Sequence, residues 1–65
     1  MIDIGDKIKR TRLKLGLTQE ELAARTELSK GFISQLERNL PSPSIATLID
    51  ILEALGTDIA DFFTT

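Results

Sequence analysis

Apolar residues recur along this chain at spacings of three and four, and no stretch alternates with period two, so the pattern predicts five helices and no strands. The first runs roughly over residues 3–15, with Ile4, Ile8 and Leu15 on one side and Leu13 widening the stripe. Gly16 follows as a stop, since glycine takes the left-handed conformation after a helix end. The second helix, 18–26, has a full start signal, with Thr18 as N-cap and Glu21 placed to reach back in a capping box. Leu22 and the small Ala23 face inward. Ser29 caps the third helix, 29–38, whose apolar side is Ile33 and Leu36, with Phe32 either partly buried or presenting its ring to a partner; Asn39 is its left-handed terminator.

Leu40-Pro-Ser-Pro-Ser44 breaks the helical pattern, because each proline removes a donor and biases its predecessor toward extended geometry. Ser44 caps a fourth helix, 44–55, with the stripe Ile45, Leu48, Ile49, Leu52 and Leu55. Ile51 falls off that stripe, and either meets the last helix or lies exposed for a partner. Gly56 ends the helix, and Asp58 with Asp61 opens a last short one, 58–63, carrying Ile59, Phe62 and Phe63. The two phenylalanines either close the core or, with Ile51 and Leu55, leave apolar surface for a second copy.

The fold class expected is therefore all-α, a compact five-helix arrangement. The most informative stretch is residues 18–38: two short capped helices joined by a tight turn, a pair that can hold its second helix proud of the surface at a width matching a DNA major groove. A chain of 65 residues is one domain at most. It stops almost as soon as the last helix does, where a linker to a second domain would begin, so the expectation is a single domain over 1–65 or the N-terminal fragment of a longer chain.

Composition narrows the function. There is no cysteine for a disulfide or a metal thiolate, and no histidine to serve as general base or metal ligand. The acids have no imidazole to pair with and a core this small leaves little room for a cleft, so neither an enzyme, a cofactor nor a metal site is expected. No apolar run approaches the roughly 20 residues that span a bilayer. The N-terminus, Met-Ile-Asp-Ile-Gly-Asp, has no basic stretch leading into an apolar one, which argues against a signal peptide and for a cytoplasmic protein. The net charge is −2, but it is unevenly spread: residues 1–15 hold five bases against two acids, whereas residues 44–65 hold four acids and no base. A basic start can meet phosphates while the acidic end faces away.

Taken together, Ile8, Arg12, the run Gly16-Leu-Thr-Gln-Glu-Glu-Leu-Ala23, Leu28-Ser29, Ile33-Ser-Gln-Leu-Glu-Arg38, Pro43-Ser44, Leu48 and Glu53-Ala-Leu-Gly56 resemble the phage-repressor and Cro-like helix-turn-helix transcription regulators, the xenobiotic-response-element type. The resemblance runs from Ile4 to Phe63. It implies sequence-specific binding of double-stranded DNA at a palindromic operator by a two-fold homodimer, with no membrane and no metal involved. It implies that Gln19 contacts the DNA backbone and buttresses the third helix, and that the early outward positions Lys30, Gly31, Ser34 and Gln35 read bases. Lys30 suits guanine O6 and N7, Gln35 suits adenine N6 and N7, and Gly31 lets the helix approach closely. Arg38, Asn39 and Ser42 fall where relatives grip phosphates, contacts that set position without reading sequence. Arg12 and Glu37 match a largely buried ion pair, a structural role. Two departures stand out: Glu27 replaces the usual turn glycine, and the loop after the third helix lacks the lysines and arginines often found there, so a shallow dependence on salt is expected. The alternative from another class is a protein-interaction module, an antitoxin or anti-repressor component docking on another regulator, which the acidic final third would suit.

Overall fold

The computed structural model describes residues 4–40 and 43–64. Five helices follow one another: α1 (Ile4–Lys14), α2 (Gln19–Thr26), α3 (Lys30–Glu37), α4 (Ile45–Ala54) and α5 (Ile59–Phe63), with no strand among the described residues. The caps expected from sequence set four of the starts. Thr18, Ser29, Ser44 and Asp58 each turn a side-chain oxygen onto an amide of the first turn, and at α2 the capping box is closed by Glu21.

Four ends close in a common way. Gly16, Glu27, Asn39 and Gly56 take positive φ, and the residue after each donates its amide to a carbonyl five back: Leu17 to Arg12 at 3.1 Å, Leu28 to Ala23 at 2.9 Å, Leu40 to Gln35 at 3.1 Å and Thr57 to Leu52 at 2.9 Å. α2 differs only in the residue that serves, a glutamate left-handed at φ 59°. A side chain in that conformation costs about 1–2 kcal/mol, so this turn is held at the expense of local strain.

One core joins the helices. Ile8, Leu17, Leu22, Ala23, Ile33, Leu36, Leu48, Ile51, Leu52, Leu55 and Phe62 are all buried in a single cluster. α3 packs on α1 and α2, while α4 packs on α2 and α5.

Two helices sit rotated from the expected setting. Leu13 on α1 and Leu15 just past its end are 56% and 51% exposed, and Gly5, Ile8 and Arg12 form the buried side of the helix. On α4, Ile45 is 67% exposed and Ile49 also reaches solvent, whereas Ile51 is fully buried beside Leu48, Leu52 and Leu55. α4 is apolar around most of its circumference, so periodicity alone does not choose its inward side. Ile51, Leu55 and Phe62 thus belong to the core and are not available to a second copy; of the four residues considered for that role, only Phe63 keeps an exposed ring.

Candidate nucleic-acid interface

α3 divides sharply into two sides. Ile33, Leu36 and Glu37 are buried, while Lys30, Gly31 and Gln35 are exposed and Ser34 and Phe32 lie between. Because residues three and four apart share a helix face, Gly31, Ser34 and Gln35 line up together, with Lys30 beside Ser34. The start of α3 is fixed by the Ser29 hydroxyl, which accepts the Phe32 amide at 3.0 Å. All four residues expected to read bases are therefore presented on or beside one solvent-facing strip.

The inner side is held by a polar network. The Arg12 guanidinium donates to both Glu37 carboxylate oxygens, Nε at 2.6 Å and Nη2 at 3.0 Å, and its Nη1 reaches the Leu17 carbonyl at 2.7 Å. Both residues are buried, as the resemblance implied. Gln19 completes the set, its amide nitrogen donating to Glu37 Oε1 at 3.0 Å. One carboxylate on α3 is thus bound simultaneously by α1 and by the first residue of α2. Two-pronged pairing of this kind fixes orientation as well as distance. Among the described residues no buried side-chain nitrogen or oxygen lacks a partner.

The opening of α2 lies beside this network. Thr18 and Glu21 exchange hydrogen bonds, the Thr18 amide to Glu21 Oε1 at 2.8 Å and the Glu21 amide to Thr18 Oγ1 at 3.0 Å. The bond from the Thr18 amide, with smaller help from the Thr18 side chain and Arg25, holds the Glu21 carboxyl below its ordinary range.

A second tie fastens the far end of α3, and the sequence reading missed it. The Gly5 amide donates to Asn39 Oδ1 at 2.9 Å, so a residue just beyond α3 satisfies one of the first-turn amides of α1. The helices approach so closely here that a Cβ on Gly5 would overlap the Leu36 carbonyl oxygen and lie 2.8 Å from Asn39 Oδ1. A glycine inside a helical pattern was the available signal. Arg38 is exposed next to Asn39, and Ser42 lies outside the described residues.

The basic start of the chain is partly committed elsewhere. Arg12 is buried in its ion pair, Arg10 pairs with Asp6 at 2.7 Å, and Lys7 donates to the Phe62 carbonyl at 2.6 Å with its ammonium 5.4 Å from the Phe62 ring centroid. Lys7 thereby fastens α5 to α1, a contact between residues 55 apart that local sequence could not announce. No group of acids among the described residues is arranged to hold a metal ion, and no helix is long and apolar enough to cross a membrane.

Known proteins share this fold. The helix-turn-helix family profile matches residues 8–62. The chain is 38% identical over 61 residues to the uncharacterized HTH-type transcriptional regulator y4dJ of Sinorhizobium fredii, covering 94% of this chain and 79% of that protein. It is 35% identical over 57 residues to the immunity repressor of Bacillus phage phi105, covering 88% of this chain but only 40% of the repressor. Among solved structures, the restriction-modification controller protein C.Esp1396I, captured as a tetramer in complex with its natural 35 base-pair operator, matches with a TM-score of 0.87 at 36% identity, over 94% of this chain and 80% of that one. The clp gene regulator ClgR from C. glutamicum matches with a TM-score of 0.90 at 33% identity, over 92% of this chain and 77% of that one. The fold, the capped helix pair and these relatives agree: the chain belongs to the phage-repressor and Cro-like helix-turn-helix family of transcription regulators.

Proposed function

We propose that this chain is the DNA-binding domain of a transcription regulator, and that it binds double-stranded DNA sequence-specifically as a two-fold dimer with α3 in the major groove. The observation that carries the reading is the division of α3. Its outward strip of Lys30, Gly31, Ser34 and Gln35 is open to solvent, while its inner side is clamped by Arg12 and Gln19 through Glu37. A helix held this rigidly can place side chains against base edges without first being ordered. Lys30, Ser34 and Gln35 donate to or pair with bases. Gln19 acts chiefly as the buttress, since its amide nitrogen is turned to Glu37, and phosphate is met by the start of α2. Arg38, Asn39 and Ser42 hold phosphates beyond α3. The operator complex of C.Esp1396I supports duplex DNA as the partner.

A dimer places the two copies of α3 about 34–36 Å apart on successive major grooves. Ile49, Ile59 and Phe63, apolar and partly exposed on α4 and α5, are the surface for the second copy, in place of the buried Ile51, Leu55 and Phe62. The immunity repressor is longer than this chain, consistent with a module that serves regulators of several lengths.

Titrating a labelled duplex at two salt concentrations tests the reading. Association should weaken from about 50 to about 200 mM salt, but by less than the roughly 1,000-fold expected of a protein neutralising six phosphates, because Arg12, Arg10 and Lys7 are already engaged. Association indifferent to salt, or none at all, would overturn it in favour of a protein partner.

A further inference from the structure

Gly31 is unlike the other glycines near the core. Gly5 is required by a crowded helix contact, and Gly16 and Gly56 hold positive φ at helix ends. Gly31 has neither reason. It sits in the first turn of α3 with ordinary helical backbone, and a Cβ built there meets only the Ser29 hydroxyl oxygen, 4.0 Å away. Alanine would fit without displacing anything and would favour the helix. Nothing among the described residues repays the missing side chain.

Its place on the helix shows where repayment can come from. Gly31 lies one turn before Ser34 and Gln35 on the same exposed side, with Lys30 as its neighbour. The bare position forms a notch in an otherwise polar strip. A helix lacking a side chain there can bring its backbone against a partner. Beside the donors and acceptors that base edges present in the major groove, the group that prefers carbon as its neighbour is the C5-methyl of thymine.

We infer that the notch at Gly31 receives a thymine methyl group, making Gly31 a specificity-determining residue that reads by omission. The inference rests on the reading of α3 as the DNA-facing helix. Lys30 and Gln35 then supply hydrogen bonds on either side of a thymine selected by shape. Thymine is distinguished from cytosine at that step because the notch gains contact only when the methyl fills it.

The test selects bound duplexes from a random pool with the wild-type domain and with Gly31→Ala, then measures each on the selected duplex and on the same duplex with deoxyuridine at the thymine concerned. A thermal melt accompanies both proteins. The wild type should enrich thymine at one position in each half-site, and deoxyuridine should weaken its binding several-fold. Gly31→Ala should melt roughly 4 °C higher, bind the wild-type site at least about 10-fold more weakly and lose the preference for the methyl. A Gly31→Ala variant that enriches the same motif with unchanged affinity overturns the inference while leaving DNA recognition intact, as does equal binding of thymine and deoxyuridine by the wild type. A wild-type domain that enriches no motif removes the reading of α3, and the inference with it.

Discussion

The seam between α1 and α3 and the seam that α4 makes with α2 and α5 hold this small protein together by different means. The first, with the start of α2 beside it, is directional. It contains a buried ion pair, a glycine at close approach and two further hydrogen bonds that tie separate elements, Gly5 to Asn39 and Gln19 to Glu37. The second is apolar, built from Leu48, Ile51, Leu52, Leu55 and Phe62. Apolar burial scales with area and tolerates repacking. A two-pronged carboxylate pair accepts one orientation. The difference teaches where orientation matters: the directional seam is the one that holds the helix carrying the proposed base contacts, and the apolar seam serves stability.

The largest effect should come from breaking the directional seam on one side only. Arg12→Ala leaves the Glu37 carboxylate buried with Gln19 alone and the Leu17 carbonyl without its donor. Removing one partner of such a pair costs about 3–5 kcal/mol, close to the whole stability expected of a domain this small. Urea unfolding would measure it. Replacing both partners, Arg12→Met with Glu37→Met, should recover most of that loss, since apolar residues of similar volume often match a buried pair. The recovered double variant should still bind DNA more weakly than wild type, because α3 has lost its fixed setting. For contrast, Leu52→Ala should lose about 2–5 kcal/mol and leave DNA affinity unchanged at temperatures where it remains folded. A double variant with full affinity would erase the distinction between the seams.

Next in size is Gly5→Ala. The added methyl would overlap the Leu36 carbonyl oxygen, so α1 and the end of α3 must part or the backbone must shift. Overpacking of this kind costs about 1–3 kcal/mol, against the fraction of a kcal/mol that alanine gains over glycine in a helix. A lowered melting temperature is the expected outcome, and a raised one would show that the seam can yield.

These two seams also explain what was legible in the sequence. Helix ends were, because Thr18, Ser29, Ser44, Asp58, Gly16, Asn39 and Gly56 act on backbone groups within a few residues of themselves. The apolar seam was legible in membership but not in direction on α4, where apolar residues surround the helix and Ile45 and Ile49 were expected inside. The directional seam misled the periodicity on α1. A rule that puts apolar residues inward placed Leu13 and Leu15 in the core, but the buried side is completed by Gly5 and Arg12. Charge and small size carry no hydrophobic signal, so only the family resemblance pointed to Arg12 and Glu37. The Gly5–Asn39 and Lys7–Phe62 contacts join residues 34 and 55 apart and depend on the assembled fold.

The smallest effect expected lies outside both seams, at the start of α2. Glu21 is fully exposed, yet the Thr18 amide and side chain hold its carboxyl below the ordinary value of 4.5. A group whose acidity is strengthened by folding stabilises the folded protein above its unfolded pKa, and that contribution fades as pH falls through the lowered folded value. The melting temperature should therefore drop on acidification from about pH 5 to about pH 3 more steeply in wild type than in Glu21→Gln. Glutamine keeps the acceptor that the capping box needs but does not titrate there. Identical slopes would mean that the capping box contributes nothing that depends on charge, and that the acid response of this domain arises elsewhere.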